Sequence, residues 1–331
     1  MKSAVEWFRG RKHLIAVGFE KCGTTSLDAL LRHSRGIAMP LLKETFGLSV
    51  NYDAGLTGYR SYYPARWDGP IADFTPSYFR YPEALDRIEA LPSDVTILFF
   101  MRHPVRRAYS AYLHRIDRYI GRDRHGDIRD LRMGREFNFW DLVKARSSSL
   151  LPPYAAHYRE LMTRFGEERV VPIVMEEMIN DPNGTVATIS KVSDIPLTDV
   201  LDRSFPHSNS TTLPVIRKSG SGFRVWWQGV PRQRVVGEEA ERLQELAESW
   251  THHISADDAE ALFNRVCRED VVEVEALLGR SLPAWHEHRS LSAPKVAFGS
   301  KSSRQAVIEQ LTDRCRRHAL ERAQRQFLTR L

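Results

Sequence analysis

The chain has 331 residues and a mass of 38.1 kDa, and its 42% hydrophobic content is enough for a full core, read as one large domain with appendages. Lys and Arg number 48 against 42 Asp and Glu, a net charge of +6 without a dominant basic block, which favours anionic ligands and gives no reason to expect nucleic acid. Cys22, Cys267 and Cys315 lie far apart with no CxxC spacing, no apolar leader opens the chain and no run of about 18 apolar residues occurs, so a cysteine metal site, secretion and a membrane span are not expected and a reducing, cytoplasmic setting is.

The first informative stretch is residues 13–31. Leu14, Ile15, Ala16 and Val17 form a short buried-strand run, Gly18 to Gly23 break it, and a helix starts at Thr24. A strand, a tight loop and a helix start aim backbone N–H groups and the positive end of a helix dipole at one point. Lys21 adds a charge there, and Thr24, Thr25 and Ser26 add hydroxyls, so the stretch reads as a phosphate pocket. Nucleotide triphosphatase loops place their Lys after the second Gly, whereas Lys21 stands two places before Gly23, which weakens a kinase reading. An ordinary strand-to-helix turn with a solvated Lys is the plain alternative.

Residues 36–42 are expected to form a second short strand that leads into Lys43-Glu44-Thr45-Phe46. Residues 51–64, rich in Tyr and Gly, read either as a loop lining a groove or as a surface loop with packed tyrosines. Residues 95–101 are a continuous apolar run, as expected of a central parallel strand. Pro104 suits the first turn of the next helix and puts Ser110 in its second turn. By themselves Arg102 is a helix-start charge and Ser110 a tolerated helix serine.

Residues 115–136 are densely charged, either a solvated helix and loop or an acceptor-binding flap. Residues 137–144 and 154–165 read as amphipathic helices, 169–175 as a strand closed by Glu176 to Pro182, and 205–223 as poor in regular structure. Residues 235–250 and 257–279 have helical patterns. From 303 to 331 a basic amphipathic helix carries Val307, Leu311, Cys315, Ala319, Ala323 and Phe327 at a spacing of four; it is expected to pack on its own domain or on a second copy of the chain. The expected division is a domain of 1–285 with a helical extension of 286–331.

The loop Gly18-Phe19-Glu20-Lys21-Cys22-Gly23-Thr24-Thr25 resembles the 5′-phosphosulfate loop of sulfotransferases that use 3′-phosphoadenosine 5′-phosphosulfate (PAPS). Residues 102–112, Arg-His-Pro-Val-Arg-Arg-Ala-Tyr-Ser-Ala-Tyr, resemble the 3′-phosphate segment of the same family. Lys43-Glu44 ahead of a Phe, the Asn51-Tyr52 to Pro64 stretch and Asp73-Phe74-Thr75-Pro76-Ser77-Tyr78-Phe79 are similar to segments of its heparan-sulfate type and bacterial carbohydrate sulfotransferases.

The resemblance implies an α/β fold, a P-loop-like mainly parallel sheet flanked by helices with a C-terminal helical extension. It also implies sulfuryl transfer from PAPS to a hydroxyl or amine of a carbohydrate or glycosylated small molecule, leaving adenosine 3′,5′-bisphosphate (PAP). Glu44 falls on the family's catalytic base, and Lys21 would stabilise charge on the leaving nucleotide. Lys21, Cys22, Gly23, Thr24, Thr25 and Ser26 would hold the phosphosulfate, and Arg102 and Ser110 the 3′-phosphate. Arg217 and Lys218 are similar to a late Arg-Lys-Gly loop over that phosphate, with Ser219 intervening before Gly220. Glu176 and Glu177 would be structural anchors, and no metal is expected. The family usually has a Lys where this chain has Phe74, so that cation's role would fall to Lys43 or another group, or the acceptor would sit differently. The other classes in view are a small-molecule kinase of the P-loop type and a non-catalytic nucleotide- or polyanion-binding module.

Overall fold

The computed structural model describes residues 3–120, 138–201 and 250–293, with 203–205, 215–219, 222–227, 230–235, 237–238, 241 and 247–248 between them. Its centre is built from the two most apolar runs. Strand β1 (Lys12–Ala16) and strand β3 (Asp94–Met101) pair in parallel from Lys12↔Asp94 to Ala16↔Leu98. Strand β2 (Ile71–Phe74) adds on the other side of β1, and β4 (Val170–Val174) on the outer side of β3, giving an all-parallel sheet ordered β2-β1-β3-β4. Leu14, Ile15, Ile97, Leu98, Phe99 and Phe100 are fully buried, as a parallel sheet covered on both faces requires.

Strand order locates the site. The chain leaves β1 through helix α2 (Thr24–Leu31) toward β2, and leaves β3 through α5 (Pro104–Ile120) toward β4, so the connections diverge between β1 and β3. Ligands of open parallel sheets bind at such a switch point, outside the C-terminal ends of the two strands.

Helices α1 (Ala4–Phe8), α3 (Gly55–Arg60), α4 (Pro82–Glu89), α6 (Phe139–Leu150), α7 (Tyr154–Phe165), α8 (Met175–Asn180) and α9 (Pro182–Ser193) complete this part. Residues 36–42, expected as a strand, contribute a single bridge from Ala38 to Ile71. Pro40, two residues on, has no N–H to continue a ladder. Residues 205–223, expected to be irregular, include a strand: Val215–Ser219 pairs with Gly222–Trp227, which pairs with Val230–Val235, in a separate antiparallel sheet. The β-branched and aromatic residues on either side of the Ser219↔Gly222 pairing outweigh the Gly and Ser content of the turn.

The helical pattern at 257–279 is realised as Ala256–Leu262, a π-helical turn Phe263–Cys267 and Arg268–Leu278, stopped by Gly279 in the left-handed conformation. The chain past Trp285 stays packed as far as Ala293, with Leu291–Ser292 pairing to His253–Ile254. The charged stretch at 121–137, most of 235–250 and residues 303–331, expected as a helix, lie outside the described residues. Among the described residues no helix is long and apolar enough to cross a membrane.

Two histidines are buried in this core. His13 on β1 stacks near Phe8 and Tyr59, and its Nε2 lies 3.1 Å from the Tyr59 hydroxyl. Burial, then the charge of Arg11, lowers its pKa to about 3; burial, then Arg106, does the same to His103. The unfolded chain takes up both protons near pH 6.5 while the folded chain refuses them until about pH 3, so their stabilisation is complete above 6.5 and is lost as pH falls. Each contributes a slope of up to about 1.4 kcal/mol per pH unit. Urea unfolding is expected to show stability falling from pH 6.5 to 5, less steeply in His13→Gln; a profile flat over that range, or equally steep in the variant, contradicts the assignment.

Candidate active site

The loop leaving β1 is fixed first through its backbone. Val17 N–H donates to Leu98 O at 2.9 Å, Gly18 N–H to Pro76 O at 2.8 Å and Phe19 N–H to Phe100 O at 2.9 Å, which ties the loop to both neighbouring segments. Gly18 has φ +66, and a Cβ there would lie 3.0 Å from the Phe99 ring. Gly23 has φ +88 and caps α2 where a Cβ would meet Met178. Between them Lys21 adopts φ 71, a conformation that costs a residue with a side chain about 1 kcal/mol or more and persists only where the surroundings over-determine it. The result is a loop wrapped round the positive end of α2, with Thr24, Thr25 and Ser26 in its first turn.

Two arginines of the segment after β3 hold that loop from across the switch point. Arg102 Nη1 donates to the carbonyl of Lys21 at 3.1 Å, so the charge leaving β3 and the loop leaving β1 meet. The carbonyl of Arg102 in turn accepts the Tyr154 hydroxyl at 3.0 Å. Arg107 is only 1% exposed; its Nε donates to Glu20 O at 3.1 Å, its Nη1 to Leu150 O at 2.8 Å, and its guanidinium stacks 5.1 Å from the Phe19 ring. Ser110 is half-buried on α5. At the start of the same helix, Glu176 accepts His103 N–H at 3.2 Å and the Trp285 indole N–H at 3.0 Å, while Glu177 pairs with both Nη atoms of Arg280 at 2.6 and 2.8 Å. Cys22 is fully buried, and burial pushes its thiol up to about 11, so it enters the loop as a neutral group.

Glu44 lies on a tight turn in which Glu44 (φ 61) and Phe46 (φ 51) are both left-handed. Its Oε1 accepts Lys43 Nζ at 2.7 Å; the Glu44 side chain is 39% exposed and that of Lys43 only 11%. The carboxylate thus has an ion-pair partner and still reaches solvent. Phe74 is fully buried in register with Ala16 and packs edge-on against Phe100, so it belongs to the core. Beside it Asp73 is fully buried among four hydroxyls, and His103 is buried too, so neither meets a substrate hydroxyl from solvent. Arg217 and Lys218 lie on the outer strand of the small antiparallel sheet, opposite Arg224 and Phe223, which shares no strand with the sheet bearing the loop.

The structure therefore brings the loop at Lys21 together with Arg102, and has Arg217 and Lys218 on a strand of the separate antiparallel sheet. Sequence reasoning assigned no role to Arg107 or Asp73. Arg107 is the second arginine of the Arg-x-Pro-x-x-Arg-Ala-Tyr-Ser pattern, which fixes the residue type there and says nothing of its burial.

Comparison with known proteins adds the following. The family model described as the sulfotransferase domain matches residues 11–274. Heparan sulfate glucosamine 3-O-sulfotransferase 6 of Homo sapiens is 28% identical over 244 residues, which are 70% of this chain and 67% of that protein. Heparan sulfate glucosamine 3-O-sulfotransferase 3B1 of Homo sapiens is 26% identical over 213 residues, 63% of this chain and 53% of that protein, so the chain spans between half and two thirds of these relatives. A sulfotransferase from Alicyclobacillus acidocaldarius superposes with a TM-score of 0.51 at 22% identity, over 83% of this chain and 98% of that one, a likeness of fold.

The neighbouring arginines 106 and 107 have opposite surroundings, and that yields a test. Arg107→Met takes the arginine donor from two carbonyls, leaving Glu20 O only the Cys22 thiol at 3.7 Å, at about 1–3 kcal/mol for a buried unsatisfied group. Arg106 is half-buried and donates to Glu287 O in an exposed contact, so Arg106→Met is expected to stay within about 1 kcal/mol. Urea unfolding of both variants measures the difference; equal losses contradict the assigned role of Arg107.

Proposed function

The chain belongs to the sulfotransferase domain family, and from that premise we propose that it moves the sulfuryl group of PAPS to a hydroxyl of a carbohydrate or glycosylated small molecule. The observation that carries the reading is the Arg102–Lys21 hydrogen bond, which joins the two anion-seeking segments at the switch point of the sheet. A nucleotide with a phosphate at each end of its ribose needs two such sites. The loop fits the inner one: its positive-φ glycines let it turn tightly against Phe99 and Met178, and the end of α2 supplies N–H groups and dipole. Arg102, with Ser110 farther along α5, fits the outer one as a charged and a neutral donor. The carbohydrate acceptor is supported by the named relatives, which act on glucosamine of heparan sulfate.

By analogy with phosphoryl transfer, the reaction runs in line through a loose transition state, and the protein's part is to position the reactants and stabilise charge. Lys21 and the loop amides face the oxygen that takes up charge as the nucleotide leaves. Glu44 receives the proton of the acceptor hydroxyl. Lys43, held on Glu44, supplies a cation on the side where Phe74 gives none.

A general base contributes about 10²–10⁴-fold to rate. Glu44→Gln is expected to lower single-turnover transfer from labelled PAPS by that order while PAP binding stays within about twofold. Near-wild-type transfer in the variant contradicts the role of Glu44. Stabilisation by ATP with Mg²⁺ exceeding that by PAP in thermal unfolding would instead favour the kinase class.

A further inference from the structure

Asp73 is buried without an ion-pair partner among the described residues, and all its contacts are hydroxyls. Oδ2 accepts Tyr78 OH at 2.7 Å, Thr45 Oγ1 at 2.9 Å and Tyr59 OH at 3.0 Å, while Oδ1 accepts Thr75 Oγ1 at 2.6 Å. A carboxylate has about four acceptor positions, and here it meets four donors, three of them on Oδ2 and one on Oδ1. Burying such a group costs several kcal/mol that an apolar residue would not. Desolvation raises its pKa, and the four hydroxyls pull the other way. A core position alone gives no reason for this arrangement.

The donors indicate what it holds. Thr45 is the residue after Glu44. Besides donating to Asp73, its Oγ1 accepts Gly47 N–H at 3.0 Å, and its carbonyl accepts Asn51 Nδ2 at 2.8 Å. Tyr78 OH, which donates to Asp73, accepts Leu48 N–H at 3.2 Å. Tyr59, the third donor, presses its ring where a Cβ on Gly47 would lie 2.5 Å away. The Thr45 side chain directly, Gly47 N–H through the Thr45 hydroxyl and Leu48 N–H through the Tyr78 hydroxyl are thus tied to a single carboxylate. The anchored residues flank the two left-handed ones, Glu44 and Phe46, each in a conformation that costs about 1–3 kcal/mol.

We propose that Asp73 is a positioning residue for Glu44, acting through the hydroxyl of Thr45, so that it sets the direction in which the Glu44 carboxylate leaves its loop. This rests on the reading of Glu44 as proton acceptor. Asp73 itself touches no reacting atom. A misplacement of about 1 Å in a reacting group costs on the order of 10²-fold in rate, so the loss of one tether is enough to register.

The test uses Thr45→Val, which keeps the shape and removes the hydroxyl, and Thr45→Ser, which restores it. Single-turnover transfer from labelled PAPS is measured per PAP-titrated site, below the unfolding temperature of each protein. Thr45→Val is expected to lose about 10–100-fold in rate with PAP affinity within about twofold, and Thr45→Ser to return to within about threefold of wild type. Combined with Glu44→Gln, Thr45→Val should add little further loss, since the tether acts only through that carboxylate. Wild-type rate in Thr45→Val, a loss shared in full by Thr45→Ser, or full multiplication of the two losses would overturn the positioning role while leaving Glu44 as base. A wild-type rate in Glu44→Gln would remove the base, and the positioning role with it.

Discussion

The site depends on one constraint: two parallel strands side by side whose onward connections run in opposite directions. At the ends of β1 and β3 this makes a switch point, and whatever each strand delivers there must be held across it. The hydrogen bond from Arg102 to the carbonyl of Lys21 does this. It sets a guanidinium against the backbone of a loop wrapped round the positive end of α2, where an anion is favoured. Positive φ at Gly18, Lys21 and Gly23 is the local cost of wrapping that loop round the end of α2.

The cost is offset by groups that never meet a ligand. Arg107 hydrogen-bonds the carbonyl of Glu20 from a buried position, Tyr154 fixes the carbonyl of Arg102, and Glu176 gathers the His103 N–H and the Trp285 indole. Trp285 brings the far end of the described chain to the start of α5, so distant segments stabilise one another at the switch point. The same logic operates at the Glu44 turn, where Asp73 gathers hydroxyls from Thr45, Tyr59, Thr75 and Tyr78. In both places a residue proposed to act, Lys21 or Glu44, has a left-handed backbone and a buried polar group fixes its neighbours.

Much of this was legible in the sequence. The apolar run at 95–101, Pro104 after it and the periodicity at 154–165 each state one local preference that the tertiary structure keeps. The Gly-Lys-Gly spacing gave the loop its character, because only a turn with unusual φ needs both glycines. Burial of charge was not legible: Arg106 and Arg107 are neighbours of one type, and only the packing of α5 on Phe19 and Leu150 distinguishes them. Asp73 lies in a segment similar to one of the family, yet its position among hydroxyls follows from contacts to residues 28 and 14 positions earlier in the chain. The strand at 215–219 was hidden by the Gly and Ser beside it, since pairing partners decide such a segment more than its own composition.

The central claim is that the loop after β1 and the arginine after β3 form one nucleotide site. The most direct measurement is the affinity of adenosine 3′,5′-bisphosphate and of adenosine 5′-phosphate for the wild-type protein and for Arg102→Ala, taken as a thermodynamic cycle. The account predicts that removing the 3′-phosphate weakens binding to wild type by about 1.5–3 kcal/mol, the scale of a charge-assisted hydrogen bond, and leaves binding to Arg102→Ala nearly unchanged. An equal loss in both proteins would contradict it.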